Sequence, residues 1–463
     1  MLLLVACLWL VAPPASHAGC DSTCLDLMGK LAACLRVEGT NDENVVIRGC
    51  NLFVQNGNSG DATDTTSGSL HGDDSDDDTG LGNLIIGYNE DDSLTRGGSH
   101  NLILGVRNEY TSYGGIVGGH DNEINASYAS VIGGQLNVAS GDAAVVVSGQ
   151  ENEADNVYSA VVAGRLNDTN AHSSAILAGY GNETVVSTAI YGAVCGGRDN
   201  TASGAYSAVL GGQSNAAAGT RSAVVGGYAN TAHSDGDYAV VVAGRDNTAS
   251  GDYSAVLGGG GTTAGDGNTA SGDFSTVAGG KTNTASGDNS HVAAGVHNTA
   301  SGEFSSVLGG GDTNSGLGNT ASMKYSAVVG GKGNKTTASG STPNAGIVVG
   351  GVCNETKAGA SVIVGGGGSE NSEATDCTNS RGNLIDVGTT TPESDAVRAI
   401  IVGGESNVLD GDGDGGGGSV ILGGSSTEYT PGSGVPNRTV VGTEGAVLYH
   451  DTDSDTVLGH AVQ

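Results

Sequence analysis

Aromatic residues, proline and positive charge are all scarce in this chain. Its 463 residues include 14 tyrosines, 3 phenylalanines and 1 tryptophan, and that tryptophan, Trp9, lies in an apolar leader. A conventional globular enzyme packed around large aromatic side chains does not fit such a composition. Proline occurs at Pro13 and Pro14 and then not until Pro343. With no glycine at every third position either, collagen is excluded. Lysine and arginine number 17 against 50 aspartates and glutamates, a formal net charge of −33. Phosphate contacts need a basic footprint, so neither nucleic acid nor an anionic membrane surface is an expected partner. No uninterrupted apolar run is long enough to cross a bilayer as a helix.

What is present is glycine, 83 residues of it. Disorder is a poor explanation, because Val, Ile, Leu and Ala recur at fixed spacing. Aligned on asparagine, the chain repeats at Asn122, Asn137, Asn152, Asn167 and Asn182, each 15 residues after the last. The series continues through Asn200, Asn215, Asn230 and Asn247 to Asn334, the longer steps reading as loop insertions. The unit is close to N-T-A-S-G-D-Y-S-A-V-L-G-G-x-x. A short fixed period with glycine punctuation marks a solenoid. Fifteen residues suffice for two short strands and two turns, but not for a helix pair.

Gly-Gly and Asn read as turn residues with positive φ, and Ser-Gly as the second turn. The ninth residue after the asparagine is almost always β-branched, as at Val131, Val146, Ile176, Val209 and Val277. Stacked coils bring these into one row about 4.8 Å apart, an internal core. The tenth is apolar too, as at Ile132, Leu210, Val225, Leu257 and Leu308. Neighbours on a strand face opposite ways, so a second apolar stripe points outward. Self-association, most simply around a threefold axis, would cover it; the competing reading is a broad, flat coil that covers it within one chain. The other strand, Thr-Ala-Ser, leaves one polar face.

The chain divides into five segments. Residues 1–18 read as a secretory signal, with Ser16-His17-Ala18 at the cleavage site. A lipoprotein reading would instead attach lipid at Cys20. Residues 19–55 form a cysteine-bearing region. Helical periodicity over 24–35 predicts a short helix, and Asn44–Ile47 and Asn51–Val54 predict two strands. Cys20, Cys24, Cys34 and Cys50 are disulfide candidates whose pairing stays open. Cys195, Cys353 and Cys377 stand apart, and Cys195 reads as a small buried hydrophobe. Residues 56–82 are an acidic Gly/Ser-rich linker, residues 83–442 the repeat domain and residues 443–463 a cap or tail.

The repeat resembles the head repeats of trimeric autotransporter adhesins, on stretches such as Ser207-Ala208-Val209-Leu210-Gly211 and Asn268-Thr269-Ala270-Ser271-Gly272. Uncharacterised exported repeat proteins resemble the leading part, with Asn51-Leu52-Phe53-Val54 and Gly82-Asn83-Leu84-Ile85-Ile86-Gly87. The resemblance implies a left-handed parallel β-roll, a homotrimer and adhesion to a surface or matrix receptor. It departs from the family in its last residues, which show neither amphipathic anchor strands nor a heptad stalk.

The expected fold is therefore all-β: a parallel β-solenoid (β-roll) of about 15-residue repeats, trimeric, with a short N-terminal helix. The expected function is non-enzymatic: a secreted or surface structural or adhesive protein, binding through the repeated face or through loops near 259–267, 311–318 and 367–380. One rival is ice binding on a Thr/Ser ladder such as Thr248/Ser250, Thr269/Ser271 and Thr284/Ser286. A polysaccharide-active β-helix enzyme is the weaker rival, since no repeat gathers a catalytic group. No cofactor is required. Asp410, Asp412 and Asp414 resemble the opening of a calcium loop, but Ile421 stands where its closing glutamate belongs, so a solvated acidic loop is the competing reading. N-glycosylation sequons begin at Asn125, Asn167, Asn182, Asn334, Asn354 and Asn437.

Overall fold

A computed structural model describes residues 35–38, 44–47, 83–88, 94–185, 190–313, 317–337, 345–368, 377, 382–387, 399–411, 419–430, 439–441 and 447–449. The chain forms two units, Met1–Asn83 and Leu84–Gln463. In the first, strands Leu35–Glu38 and Asn44–Ile47 pair antiparallel, Leu35 opposite Ile47. The second strand is the expected one. Leu35 was expected to end a helix and instead opens a strand; residues 24–34 and 51–54, the candidate cysteines and the leader lie outside the described residues.

The second unit is a parallel β-solenoid. Each coil gives one short strand to each of two parallel sheets. The first sheet runs in chain order from Leu84–Tyr88 to Thr439–Val441, and the second from Glu109–Tyr110 to Val447–Tyr449. Register is strict: Val146 lies beside Val131 and Val161, and Ala217 beside Ala202 and Ala232. Most strands are two residues long, the first facing outward and the second buried. The ninth-place row is fully buried, as expected, at Val131, Val146, Val209, Val277 and Val307. The second sheet contributes a row of buried alanines, including Ala202, Ala217, Ala249 and Ala285. Each buried valine contributes roughly 1.5–3 kcal/mol, and the methyl row opposite keeps the interior thin enough for a 15-residue coil.

The asparagines are not turn residues with positive φ; they form a buried ladder. Asn152 donates its backbone N–H to Asn137 Oδ1 at 3.0 Å, and its Nδ2 donates to the same oxygen at 3.1 Å. That Nδ2 also donates to Ser148 O at 3.2 Å and Gly164 O at 2.9 Å. The side chain thus satisfies main-chain groups that a turn would otherwise leave buried and unpaired. Backbone N–H to Oδ1 bonds continue this column from Asn122, which donates to Asn108, to Thr427, which donates to Asn407. Positive φ falls instead on the residue before most of the asparagines, such as Leu136 (56°) and Ser214 (55°), and in most coils on the sixth residue after it, such as Tyr206 (58°). The glycine of Ser-Gly has another reason. A Cβ on Gly272 would lie 2.2 Å from Gly287 O in the next coil, so glycine there permits close stacking.

Candidate functional site

The first sheet's inner row and the asparagine column vary little from coil to coil, so the chemistry offered to a partner differs mainly along the outer rows. The first sheet's outer face carries the tenth-place row. Ile132, Leu177, Leu210, Leu257 and Leu308 are 46–49% exposed, and Val162, Val225, Val329 and Val402 are exposed beside them. Cys195 occupies a place in this row and is exposed; it is not the buried hydrophobe expected, because the tenth residue faces away from the core. The half-buried eighth-place row, Ala208, Ala223 and Ala255 among it, lies alongside.

The second sheet's outer face is polar and changes along the roll. In the later coils the outward threonines stack in register, Thr248 beside Thr269, then Thr284, Thr299 and Thr320. In the earlier coils the same row is acidic: Glu153 pairs with Asp168, and Asp168 with Glu183. Carboxylate oxygens of Glu153, Asp155 and Asp168 lie within 4.8 Å of one another. Burial pushes Asp168 up from 3.8 to about 6, against a hydrogen bond from Asn170, with Asp155, Glu153 and Glu183 adding repulsion. Glu153 is raised as well, by burial and then by Asp155 and Glu123. One Asp168 oxygen accepts from Asn170 Nδ2 at 2.6 Å, while Oδ1 is buried with no hydrogen-bond partner. Three carboxylates so placed could hold a hard divalent cation through oxygen.

Of the expected calcium residues, Asp410 lies in strand Val408–Gly411 beside Asp386, whose carboxylate accepts from Lys357 Nζ at 2.8 Å. Asp412 and Asp414 lie outside the described residues. Four sequon asparagines, Asn167, Asn182, Asn334 and Asn354, are buried rungs of the ladder. Their Nδ2 groups donate to glycine carbonyls of the next coil, so a glycan at any of them is incompatible with this fold. Asn125 is exposed, and Asn437 lies outside the described residues.

The inserted loops close back on neighbouring coils. Asp266 pairs with Lys281 at 3.1 Å and Asp312 with Lys332 at 2.6 Å. Lysine and the adjacent Thr313 hold Asp312 down at about 2. Cys353 and Cys377, isolated in the sequence because an insertion separates them, form a disulfide.

Sequence reasoning missed an aromatic ladder at the sixth place. Tyr253 stacks on Tyr238 with ring centroids 4.6 Å apart and on Phe274 at 4.9 Å, the planes within 7° and 1° of parallel. Tyr191 stacks on Tyr206 at 5.0 Å, and Phe304 on Tyr325 at 5.1 Å. Arg221 takes one rung itself, its guanidinium 5.4 Å from the Tyr206 ring and 5.2 Å from Tyr238. The signal was present in the repeat unit, at its seventh letter, but Ala143, Ser173 and Asn289 interrupt it. Among the described residues no helix is long and apolar enough to cross a membrane. No family model matches this chain, and no curated protein matches it.

Proposed function

We propose that the protein is a non-enzymatic, extracellular structural or adhesive protein whose roll associates with further copies of itself through the outer face of the first sheet. The exposed tenth-place row carries this reading. Some twenty strands at about 4.8 Å make a strip roughly 100 Å long. With the eighth-place row it offers on the order of 1,000 Å² per chain, enough for a stable interface. A threefold arrangement lets like rows meet along a common axis, in keeping with the resemblance to adhesin heads. The Cys353–Cys377 disulfide supports an oxidising compartment and hence export.

Sedimentation of the intact protein tests this, with a trimeric mass expected. Changing Leu210, Val225 and Leu257 together to Ser should lower the mass while the strand spectrum persists. Cys195, in the same row, should cross-link between subunits with a short bis-maleimide, and Cys195→Ser should remove that product. A monodisperse monomer defeats the proposal. The in-register threonine row favours ice binding as a second reading; purified protein without thermal hysteresis would eliminate it.

A further inference from the structure

The corner that leads from the second sheet into the first carries side chains that its backbone does not call for. At this corner, six residues after most of the asparagines and eight after Asn230, the backbone has positive φ, a conformation that glycine or asparagine adopts at least cost. The chain instead places Tyr206, Tyr238, Tyr253, Phe274, Phe304 and Tyr325 there, at φ of 55 to 59°. They are exposed, Phe274 by 57% and Tyr253 by 51%, so burial does not explain them. Ring stacking, about 0.5–1.5 kcal/mol per pair, roughly offsets the backbone cost and leaves no evident gain in stability.

A second row runs beside the rings. Asp237, Asp252, Asp273 and Asp288 each stand just before the ring-bearing position in consecutive coils. Each accepts a backbone N–H from the coil before through Oδ1: Thr220 to Asp237 at 3.1 Å, Asp237 to Asp252 at 2.9 Å, Asp252 to Asp273 at 3.0 Å and Asp273 to Asp288 at 3.1 Å. This fixes a line of like charges one coil apart, a repulsive arrangement. A cation lying along the line would relieve it.

The ladder has one unfilled rung inside this stretch. Phe274 stacks on Tyr253 and Phe304 on Tyr325. Between the two phenylalanines stands only Asn289, which is exposed. The phenylalanines are two coils apart, roughly 10 Å, close to the span of the two steps, 5.4 and 5.2 Å, over which Arg221 sits between Tyr206 and Tyr238. Arg221 does this within the chain, between Tyr206 and Tyr238, and donates to Tyr238 Oη at 2.8 Å. The same ladder therefore displays the guest that its open rung fits. Guanidinium stacks flat on rings and pairs with carboxylates, where ammonium does neither as well.

We propose that this corner, from Asp237 to Phe304, docks an extended, arginine-bearing segment of a partner protein, one guanidinium entering between Phe274 and Phe304 over Asn289. The surface lies at the turn rather than on the tenth-place row, so the inference does not depend on self-association. The test is fluorescence polarisation of labelled hexa-arginine and hexa-lysine peptides with the full-length protein at physiological salt. Hexa-arginine should bind about ten-fold more tightly. Asn289→Tyr, which fills the rung, should reduce hexa-arginine to the hexa-lysine level and leave hexa-lysine unchanged. Asn289→Arg, which copies Arg221, should do the same and serves if the tyrosine variant misfolds. Asp252→Asn with Asp273→Asn should weaken both peptides. Equal binding of the two peptides by the unaltered protein would reduce the effect to bulk charge and overturn the proposal. So would an arginine preference that survives both changes at Asn289, or peptide binding indifferent to the two aspartates.

Discussion

Coils near residues 109–184 and coils near residues 201–321 share the first sheet's inner row and the asparagine column and differ most on one outer row. Inside, Val146 and Val161 in the first stretch match Val256 and Val277 in the second, all fully buried, and the asparagine column runs through both. Outside, on the second sheet, Glu153, Asp168 and Glu183 occupy the places that Thr248, Thr269 and Thr284 take later. Stacked threonines favour a sheet, and stacked like charges oppose it. Both stretches nevertheless keep the same register. The inner rows and the asparagines therefore determine the coil, and the outer row is free to carry charge.

The comparison breaks most severely if an inner valine becomes charged. Val161→Asp and Val277→Asp should each cost about 4 kcal/mol or more, because an unpaired carboxylate enters a thin apolar interior. Urea unfolding followed by far-UV spectroscopy should show similar losses in both stretches; a large difference would mean that the interiors are not equivalent. Next come the rungs. Asn152→Ala and Asn230→Ala should each cost about 2–3 kcal/mol, since buried carbonyls lose their donors, again irrespective of the outer row.

A smaller effect should separate the stretches. Asp168 holds its proton up to about pH 6 in the fold, against 3.8 ordinarily. Between those values the folded state binds more protons than the unfolded one, so stability falls as pH rises through that window. Asp168→Asn should therefore stabilise by the order of 1 kcal/mol at pH 7 to 8, after allowance for solvent screening. The gain should vanish near pH 4. A gain that persists at pH 4 would point to packing rather than ionisation. Smallest of all, Thr284→Ala should shift stability by less than about 0.5 kcal/mol, measured in the same melts.

The period and the ninth-place row were legible in the sequence for a clear physical reason. A slip of one residue would turn every valine outward, so a single register satisfies the pattern. The outward tenth-place row followed from the same alternation. The asparagine was recognised by spacing and misread in role, because a buried rung and a turn residue have the same glycine neighbours. The aromatic ladder was visible only as scattered tyrosines until the coil brought Tyr238, Tyr253 and Phe274 within 5 Å steps. Glu153, Asp155 and Asp168 belong to two coils, so their meeting required the pitch. Cys353 and Cys377 were separated by 24 residues, an interval unrelated to the repeat.

The asparagine column also bears on how such a molecule changes over generations. Each rung receives from one neighbour the bond that it supplies to the other, so any coil can follow any other. An in-frame tandem duplication of one unit adds a rung that is satisfied on both sides and lengthens the roll by about 4.8 Å. A partial duplication leaves a rung without its partner and a valine row out of step. Inheritance should therefore favour variants that differ by whole units. The steps of 18, 17 and 21 residues at Asn200, Asn247 and Asn268 show where extra sequence is tolerated: between the rungs, at a turn, with the next rung still in place.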